Sequence, residues 1–394
     1  MLRVLILSTL FPDASRPNFG IFVERQTLSL AARDDVEVRV VAPLGVAPWP
    51  LSVHPRYAAF AALPKQEEWK GLHVDRPRFL NLPGTGGRFH GATLARALVP
   101  LLECIRRDFP FDVINAEFFF PDGPAAIALG RHFDVPVSIK ARGSDIHQWT
   151  KRPAVARQIV AAGRAADGLL SVSLALRDDM IALGMPGERI ECIVTGVDLA
   201  RFAPRDRMAT KAALGMFGPL ILSVGALIPL KGHDIVIDAV AEMPGVHLWI
   251  AGQGPEQQRL AARIAELGLS DRIRLLGPVP HDEVPAMLAA ADAMALASSS
   301  EGLANAWLEA LASGTPVVIP DIGGARQVVT SAAAGRIVAR TPEAFRDALA
   351  AILADPPAPA QVRAAAEPFT WAANSNRLHD FLQRLVRARR DTAA

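Results

Sequence analysis

From Pro219 to Val338 the chain repeats one pattern: a short apolar run, a turn, then a helical period. The runs are PLILSVG, VHLWIAG, RIRLLG, AMALAS, PVVIP and GRIV, and the helices between them are expected to open at Gly232, Pro255 and His281, after Glu301 and near Gly323. Strands of this kind are buried on both faces, and a helix between consecutive strands returns the chain to a parallel neighbour. The pattern therefore predicts a doubly wound parallel sheet. The first half repeats it with more interruptions, with strands expected at Arg3–Leu7, Glu37–Val41, Val113–Asn115, Val135–Lys140 and Leu169–Val172. The segment from Val46 to Gly87, rich in Pro, Trp and Arg, reads as an irregular excursion.

A chain of 394 residues exceeds the size at which one core keeps growing. The reading is an α/β protein with an N-terminal domain over 1–198 and a C-terminal domain over 199–370, joined at the turn-rich TGVDLARFAPRD that begins at Thr195. Both are Rossmann-like, and an interdomain cleft is expected where the carboxyl ends of the two sheets face each other. Residues 371–394 read as a helix whose stripe Leu378, Phe381, Leu382, Leu385 and Val386 packs back on the N-terminal domain. Arginines surround that stripe, so peripheral contact with a membrane surface is the minor alternative.

Hydrophobic residues at 51% against 21% charged exclude a disordered chain, and a formal charge of +2 gives no case for nucleic acid. Cys104 and Cys192 have no zinc or disulfide spacing, and a cytoplasmic setting is expected. The opening MLRVLILSTLFPD is broken by Ser8 and Thr9 and stopped at Pro12, which fits a first strand better than a signal peptide.

The chemistry concentrates in EGLANAWLEALASGTPVV, Glu301 to Val318. Asn305 is read as the N-cap and Gly314 with Pro316 as the stop of a short helix that is apolar on nearly every side, so Glu309 is expected to be buried. Two readings stand at this point. The helix amino end favours a phosphate, and Glu309, roughly 6 Å deeper along the axis, reaches the ribose of the same nucleotide. Alternatively Glu309 pairs with a distant arginine and Glu301 caps or faces water. Lys231 weighs toward the nucleotide: only 6 of the 42 basic residues are lysine, and this one stands at a helix entrance.

Taken in order, Gly225-x5-Lys231-Gly232, the loop Gly252-Gln253-Gly254-Pro255, RIRLLGPVP and Glu301-x7-Glu309 followed by SGTPVV closely resemble the retaining glycosyltransferases of family 4. FGIFVERQ, PDGPAAIALG, ARGSDIH and TGVD extend the resemblance over almost the whole chain. The resemblance implies a GT-B fold and a nucleoside diphosphate sugar donor, UDP- or GDP-linked, with no separate cofactor. It implies that Glu309 holds the ribose hydroxyls and Glu301 those of the donor sugar. Lys231 would bind the diphosphate, Gly225 opens that loop, and backbone near Gly277 and Val279 would read the base. Amides of Leu303, Ala304, Asn305 and Ala306 would complete the phosphate cradle, and Gly20 would admit the diphosphate from the other domain.

On the N-terminal side Arg142, Asp145, His147 and Glu117 are candidates for catalysis or for the acceptor, a carbohydrate or lipid-linked sugar. Asp145 also reads as a helix N-cap, Asp122 as a turn residue, and Phe118, Phe119 and Phe120 as core. The chain departs from the family pattern at Ala226, where relatives often carry Arg, and at Arg142, where they often carry His. Arg142 is thus also a candidate for the missing positive charge. No two Asp are separated by a single residue, so the ligand pair of metal-dependent transferases is missing and metal-independent transfer is expected. No GxGxxG follows the first strand, which sets a dehydrogenase aside. A non-hydrolysing nucleotide-sugar epimerase and a non-catalytic sugar-nucleotide binder remain as alternatives.

Overall fold

The computed structural model describes residues 1–393, which divide into two units, Met1–Val194 with the last helix Trp371–Ala393, and Thr195–Thr370. In unit one the strands are β1 (Leu2–Leu7), β2 (Val36–Val41), β3 (Leu44–Val46), β4 (Gln66–Trp69), β5 (Leu72–Asp75), β6 (Arg78–Leu80), β7 (Val113–Ala116), β8 (Val137–Ala141), β9 (Gly168–Ser171) and β10 (Ile190–Cys192). Eight form one sheet in the order β10-β9-β8-β7-β1-β2-β5-β4, parallel except for β4, and β3 pairs with β6 as a separate parallel ribbon. Leu2 to Leu7 lie opposite Val36 to Val41 in one unbroken parallel register.

The excursion expected from Val46 to Gly87 is in fact ordered. It contains β4, β5, β6 and the helix Pro55–Ala62. These strands are three or four residues long, and β4 is an antiparallel edge strand whose side chains alternate between exposed and half-buried. Such strands lack the continuous apolar run that marks a central parallel strand. The three-residue β10 escaped notice for the same reason.

The last helix completes the core of this unit. Leu378, Phe381, Leu382 and Val386 are buried with Leu2, Val4, Ile6, Val23 and Leu30. Its basic residues turn to carboxylates of the same unit: Arg377 and Arg384 to Glu191, Arg389 to Asp134, and Arg390 to Asp112 at 2.9 Å. Among the described residues no helix is long and apolar enough to cross a membrane.

Unit two contains β11 (Leu220–Val224), β12 (His247–Ala251), β13 (Ile273–Gly277), β14 (Ala293–Ala295), β15 (Val317–Pro320) and β16 (Gly335–Val338). They form an all-parallel sheet in the order β13-β12-β11-β14-β15-β16. The winding direction reverses between β11 and β14, as it does in unit one between β1 and β7. Loops after the carboxyl ends of two such strands diverge and leave a crevice for a ligand.

Candidate functional site

The loops at the carboxyl ends of β11, β12 and β13 are laced by main-chain hydrogen bonds. Gly225 N donates to Ala251 O at 3.0 Å, Leu227 N to Gln253 O at 3.0 Å, and Gly252 N to Gly277 O at 2.9 Å. A Cβ at Gly252 would lie 1.8 Å from Gly225 O, and one at Gly254 would lie 2.3 Å from Leu227 O. These two glycines are therefore obligatory for the close approach, whereas a Cβ at Gly225 would meet nothing nearer than 3.6 Å. Buried His233 fixes the same loop: its Nε2 donates to Ala226 O at 3.2 Å and its Nδ1 accepts from Ser223 at 3.0 Å. Burial lowers its pKa to about 4, so the ring is neutral at neutral pH. At Ala226, then, the main chain is held by an uncharged ring.

Lys231 ends a single 3-10 turn, Pro229–Lys231, and Gly232 at φ +63° begins the helix His233–Ala241. The Lys231 ammonium bonds to Glu301, which also accepts from Ser298 Oγ at 2.7 Å. The two loops are joined further by Ser299 N donating to Leu230 O at 2.8 Å. Lys231 follows β11 and Glu301 follows β14, so this partly exposed ion pair spans the topological switch point of the unit. A third loop braces Glu301. A Cβ at Gly323 would lie 2.4 Å from Glu301 O, and Gly324 N donates to Gly302 O at 2.9 Å.

The helix after Glu301 runs Asn305–Ala312, and its N-cap is Ala304, which has no side chain to accept a hydrogen bond. Asn305 is therefore the first helical residue and not the cap, a correction of one position. The first-turn amides of Asn305 and Ala306 have no acceptor within the helix and lie at the positive end of its dipole. Leu303 and Ala304 are buried beneath that turn, and Gly314 at φ +75° ends the helix. Glu309 is 8% exposed between fully buried Leu308 and Ala310. Its Oε1 lies 3.1 Å from Nε2 of His281, whose Nδ1 accepts from Arg201 Nη2 at 2.7 Å. Because Nδ1 faces a guanidinium N–H, Nε2 carries a ring hydrogen and donates to Glu309. His281 thus stands between Arg201 and Glu309. Gly277, at φ +72° with open space around its Cβ position, and Val279 lie on the short path from β13 to His281.

In unit one, Gly20 at φ +72° opens the helix Ile21–Ala31, and a Cβ there would lie 2.2 Å from Leu10 O. Its glycine requirement thus comes from its own loop. Glu117 is wholly buried after β7 and binds Arg142, Gln26 and Asn115, the last at 2.6 Å. The Glu117 side chain is thus taken up by these internal partners and does not reach out toward an acceptor. Arg142 lies over Phe22 at 4.9 Å, and its other terminal nitrogen is buried without a hydrogen-bond partner among the described residues. Lys140, fully buried, donates to Gln26 Oε1 at 2.6 Å, and desolvation lowers its pKa to about 7.

Asp145, given a catalytic role from the sequence, is wholly buried and accepts from the main-chain N–H groups of Phe119, Arg142, Gly143 and Ile146. Its carboxylate shapes the turn around Gly143, in line with the capping reading; burial outweighs those bonds and raises its pKa. Asp122 accepts from Thr9 N at 2.9 Å, tying the loops after β1 and β7 together, and burial raises its pKa to about 7. His147 lies 2.9 Å from Asp179 and is partly exposed. Phe118, Phe119 and Phe120 are core residues.

Residues 206–368 match the model of the glycosyl transferases group 1, and residues 23–201 match that of Glycosyltransferase Family 4. D-inositol 3-phosphate glycosyltransferase of Mycolicibacterium paratuberculosis is 39% identical over 215 residues, 50% of this chain and 48% of the relative. The enzyme of the same name from Nocardia farcinica is 38% identical over 186 residues, 44% and 41% of the two chains. The chain thus spans about half the length of the curated relatives it matches. Among solved structures, sucrose-phosphate synthase from Thermosynechococcus elongatus superimposes with a TM-score of 0.81 at 19% identity, covering 98% of this chain and 100% of the other. Anabaena HepE, in complex with UDP and glucose, gives a TM-score of 0.74 at 20% identity over 97% and 100%. These likenesses establish the GT-B fold. With one model of the same family matched on each unit, the chain belongs to the group 1, family 4 glycosyltransferases.

Proposed function

We propose that the protein transfers a sugar from a nucleoside diphosphate sugar to a carbohydrate or lipid-linked acceptor, with retention of anomeric configuration and without a metal. The observation that carries this reading is the arrangement in unit two. A lysine–glutamate pair spans the switch point, the acceptor-free first turn of Asn305–Ala312 follows it, and Glu309 lies one turn deeper. The HepE structure holds UDP and glucose, which supports a UDP-linked donor.

In the reaction the bond from the anomeric carbon to the diphosphate oxygen breaks and its electron pair leaves with the diphosphate. The acceptor hydroxyl oxygen bonds to the anomeric carbon on the same face, and its proton passes to an oxygen of the departing phosphate. Lys231 and the amides of Asn305 and Ala306 stabilise the charge that builds on that phosphate. Lys231 keeps further donor hydrogens while bonded to Glu301, so the ion pair fixes the ammonium without exhausting it. Glu301, oriented by Ser298, is placed to accept from the sugar hydroxyls. Polysaccharide or glycolipid assembly at the cytoplasmic face of a membrane is the setting such a reaction fits.

The test is to incubate the protein with UDP-, GDP- and ADP-sugars and an acceptor panel, with and without chelator. Release of nucleoside diphosphate with a glycosylated product of retained configuration is expected under both conditions. Nucleotide binding without release would make it a binder, and a free epimerised sugar nucleotide formed without acceptor would make it an epimerase.

A further inference from the structure

We propose that one edge of unit one is a docking surface for an anionic lipid bilayer. The inference rests on unit one alone, and under the proposed function it favours the lipid-linked acceptor over a free carbohydrate. Three stretches of the chain, 38–66, 76–102 and 146–166, carry no Asp or Glu, although those two residue types make up 40 of the 394 positions. The fold brings the three together. Val46, at the end of β3, pairs with Leu80, at the end of β6, and Thr93 Oγ1 in the helix His90–Asp108 donates to Leu80 O at 2.7 Å. Arg152 Nη1 donates to Gly86 O at 3.2 Å and Gln158 Nε2 to Arg88 O at 3.0 Å, which ties in the third stretch.

The exposed charges that these stretches bring to the edge are therefore basic: Lys65, Arg88, Arg96, Lys151, Arg152 and Arg157. Among the described residues none of the six pairs with a carboxylate. Asp13, whose partner Arg16 lies over Phe60 of this edge, is buried and neutralised by that arginine at 2.7 Å. The last helix differs, since Arg377, Arg384, Arg389 and Arg390 all turn to carboxylates of their own unit.

The same edge exposes large apolar side chains. Trp49 is 83% exposed and Val53 71%, and Leu51, Leu80 and Phe89 are exposed with them. Single apolar side chains are scattered over any soluble surface, but here three fall within five residues, where the 3-10 turn Leu51–Val53 leads into the helix Pro55–Ala62. Ala58, Ala59, Ala61 and Ala62 of that helix add an exposed face of small residues. A nucleic acid would use the cations and leave Trp49, Leu51 and Val53 in water. A bilayer surface takes both, because indole and aliphatic groups enter the boundary between headgroups and acyl chains while lysine and arginine face anionic headgroups. The ribbon of β3 and β6 continues directly from the carboxyl ends of β2 and β5, the edge of the sheet at which Arg142 follows β8. A sugar carried on a lipid is thus held to the side where such sheets bind ligands.

Flotation of the full chain with vesicles of phosphatidylcholine alone, and of an equal mixture with phosphatidylglycerol, tests this. Partition onto the mixed vesicles is expected to exceed that onto phosphatidylcholine by about 10-fold or more and to fall as salt is raised. Exchanging Trp49→Ser, Leu51→Ser and Val53→Ser together is expected to lower it by about 10-fold or more, and Arg88→Ser, Arg96→Ser and Arg157→Ser together by a similar factor. Arg384→Ser with Arg387→Ser, on the last helix, should leave it within about twofold. All the exchanged residues are exposed, and the two triples are read independently, so failure of one to fold leaves the other to decide. Absence of flotation, equal flotation with both vesicles, or unchanged flotation of a folded triple variant would each overturn the proposal. Flotation kept by the apolar triple, together with DNA-duplex binding lost by the arginine triple, would assign the edge to nucleic acid instead. Release of nucleoside diphosphate from the sugar nucleotide, assayed beside flotation, separates the two readings. Release without flotation overturns this inference alone, and flotation without release overturns the transferase reading while the surface stands.

Discussion

Lys231 and Glu301 neutralise each other across the switch point of unit two, and both keep some exposure, so the pair stays open to a third charged group. In the reaction proposed above, an incoming diphosphate gains the ammonium without having to extract it from a closed interior. Removing the cation therefore removes an interaction that grows as the leaving group departs. Lys231→Ala is expected to lower kcat by about 100-fold or more with a much smaller change in KM, read by steady-state kinetics on the sugar nucleotide. In unit one the corresponding test is Glu117→Gln. Glu117 is the carboxylate against the buried guanidinium of Arg142, and its loss leaves that cation uncompensated. A destabilisation of about 3 kcal/mol is expected from denaturant unfolding. The lysine and the two glutamates of unit two were legible in the sequence because each breaks a local rule, a rare lysine at a helix entrance or a carboxylate in an apolar helix. Their partners were not. His281 lies 28 residues from Glu309, and Gln26 lies 91 residues from Glu117, and nothing in either local pattern marks the contact.

At the scale of elements, the glycine loops and the helix entrance after β11 behave as one piece. Gly252→Ala would drive a methyl group into the Gly225 carbonyl, so the loops after β11 and β12 must part. Loss of nucleotide affinity is expected by calorimetry, while the neutral exchange Gly268→Ala, where a Cβ meets nothing but the backbone is left-handed, costs only stability, about 1 kcal/mol. His233 ties the same loop to β11 and gives it a pH dependence. Its pKa falls from the ordinary histidine value of about 6.5 to about 4 on folding, so the unfolded chain takes up a proton first. Its contribution is complete above about pH 6.5 and is lost as the pH falls through 4, amounting to about 3 kcal/mol over that window. His233→Asn should flatten this part of the stability profile relative to wild type, as measured by thermal unfolding between pH 7 and 4. The central strands were readable to within two residues at their starts because burial on both faces demands unbroken apolar runs. The edge strand β4 and the ribbon strands β3 and β6 were not, since their length and alternation are shared with ordinary loops.

Over the whole molecule, the donor chemistry proposed for unit two and the apolar contacts of the last helix in unit one lie in different bodies. Phe381 fills the space above Gly168, where a Cβ would lie 2.5 Å from the ring. Phe381→Ala is expected to destabilise unit one by about 3 kcal/mol or more while the nucleotide affinity of unit two is unchanged, read by denaturant unfolding beside calorimetry. The division also bears on how the polypeptide matures as it is made. Unit two is drawn from one unbroken stretch, whereas unit one must wait for Trp371–Ala393 before its hydrophobic interior can close. Unit one, begun earlier, therefore still exposes the groove its closing helix will fill until that helix has been made, and that interval is when nascent-chain chaperones have most to protect.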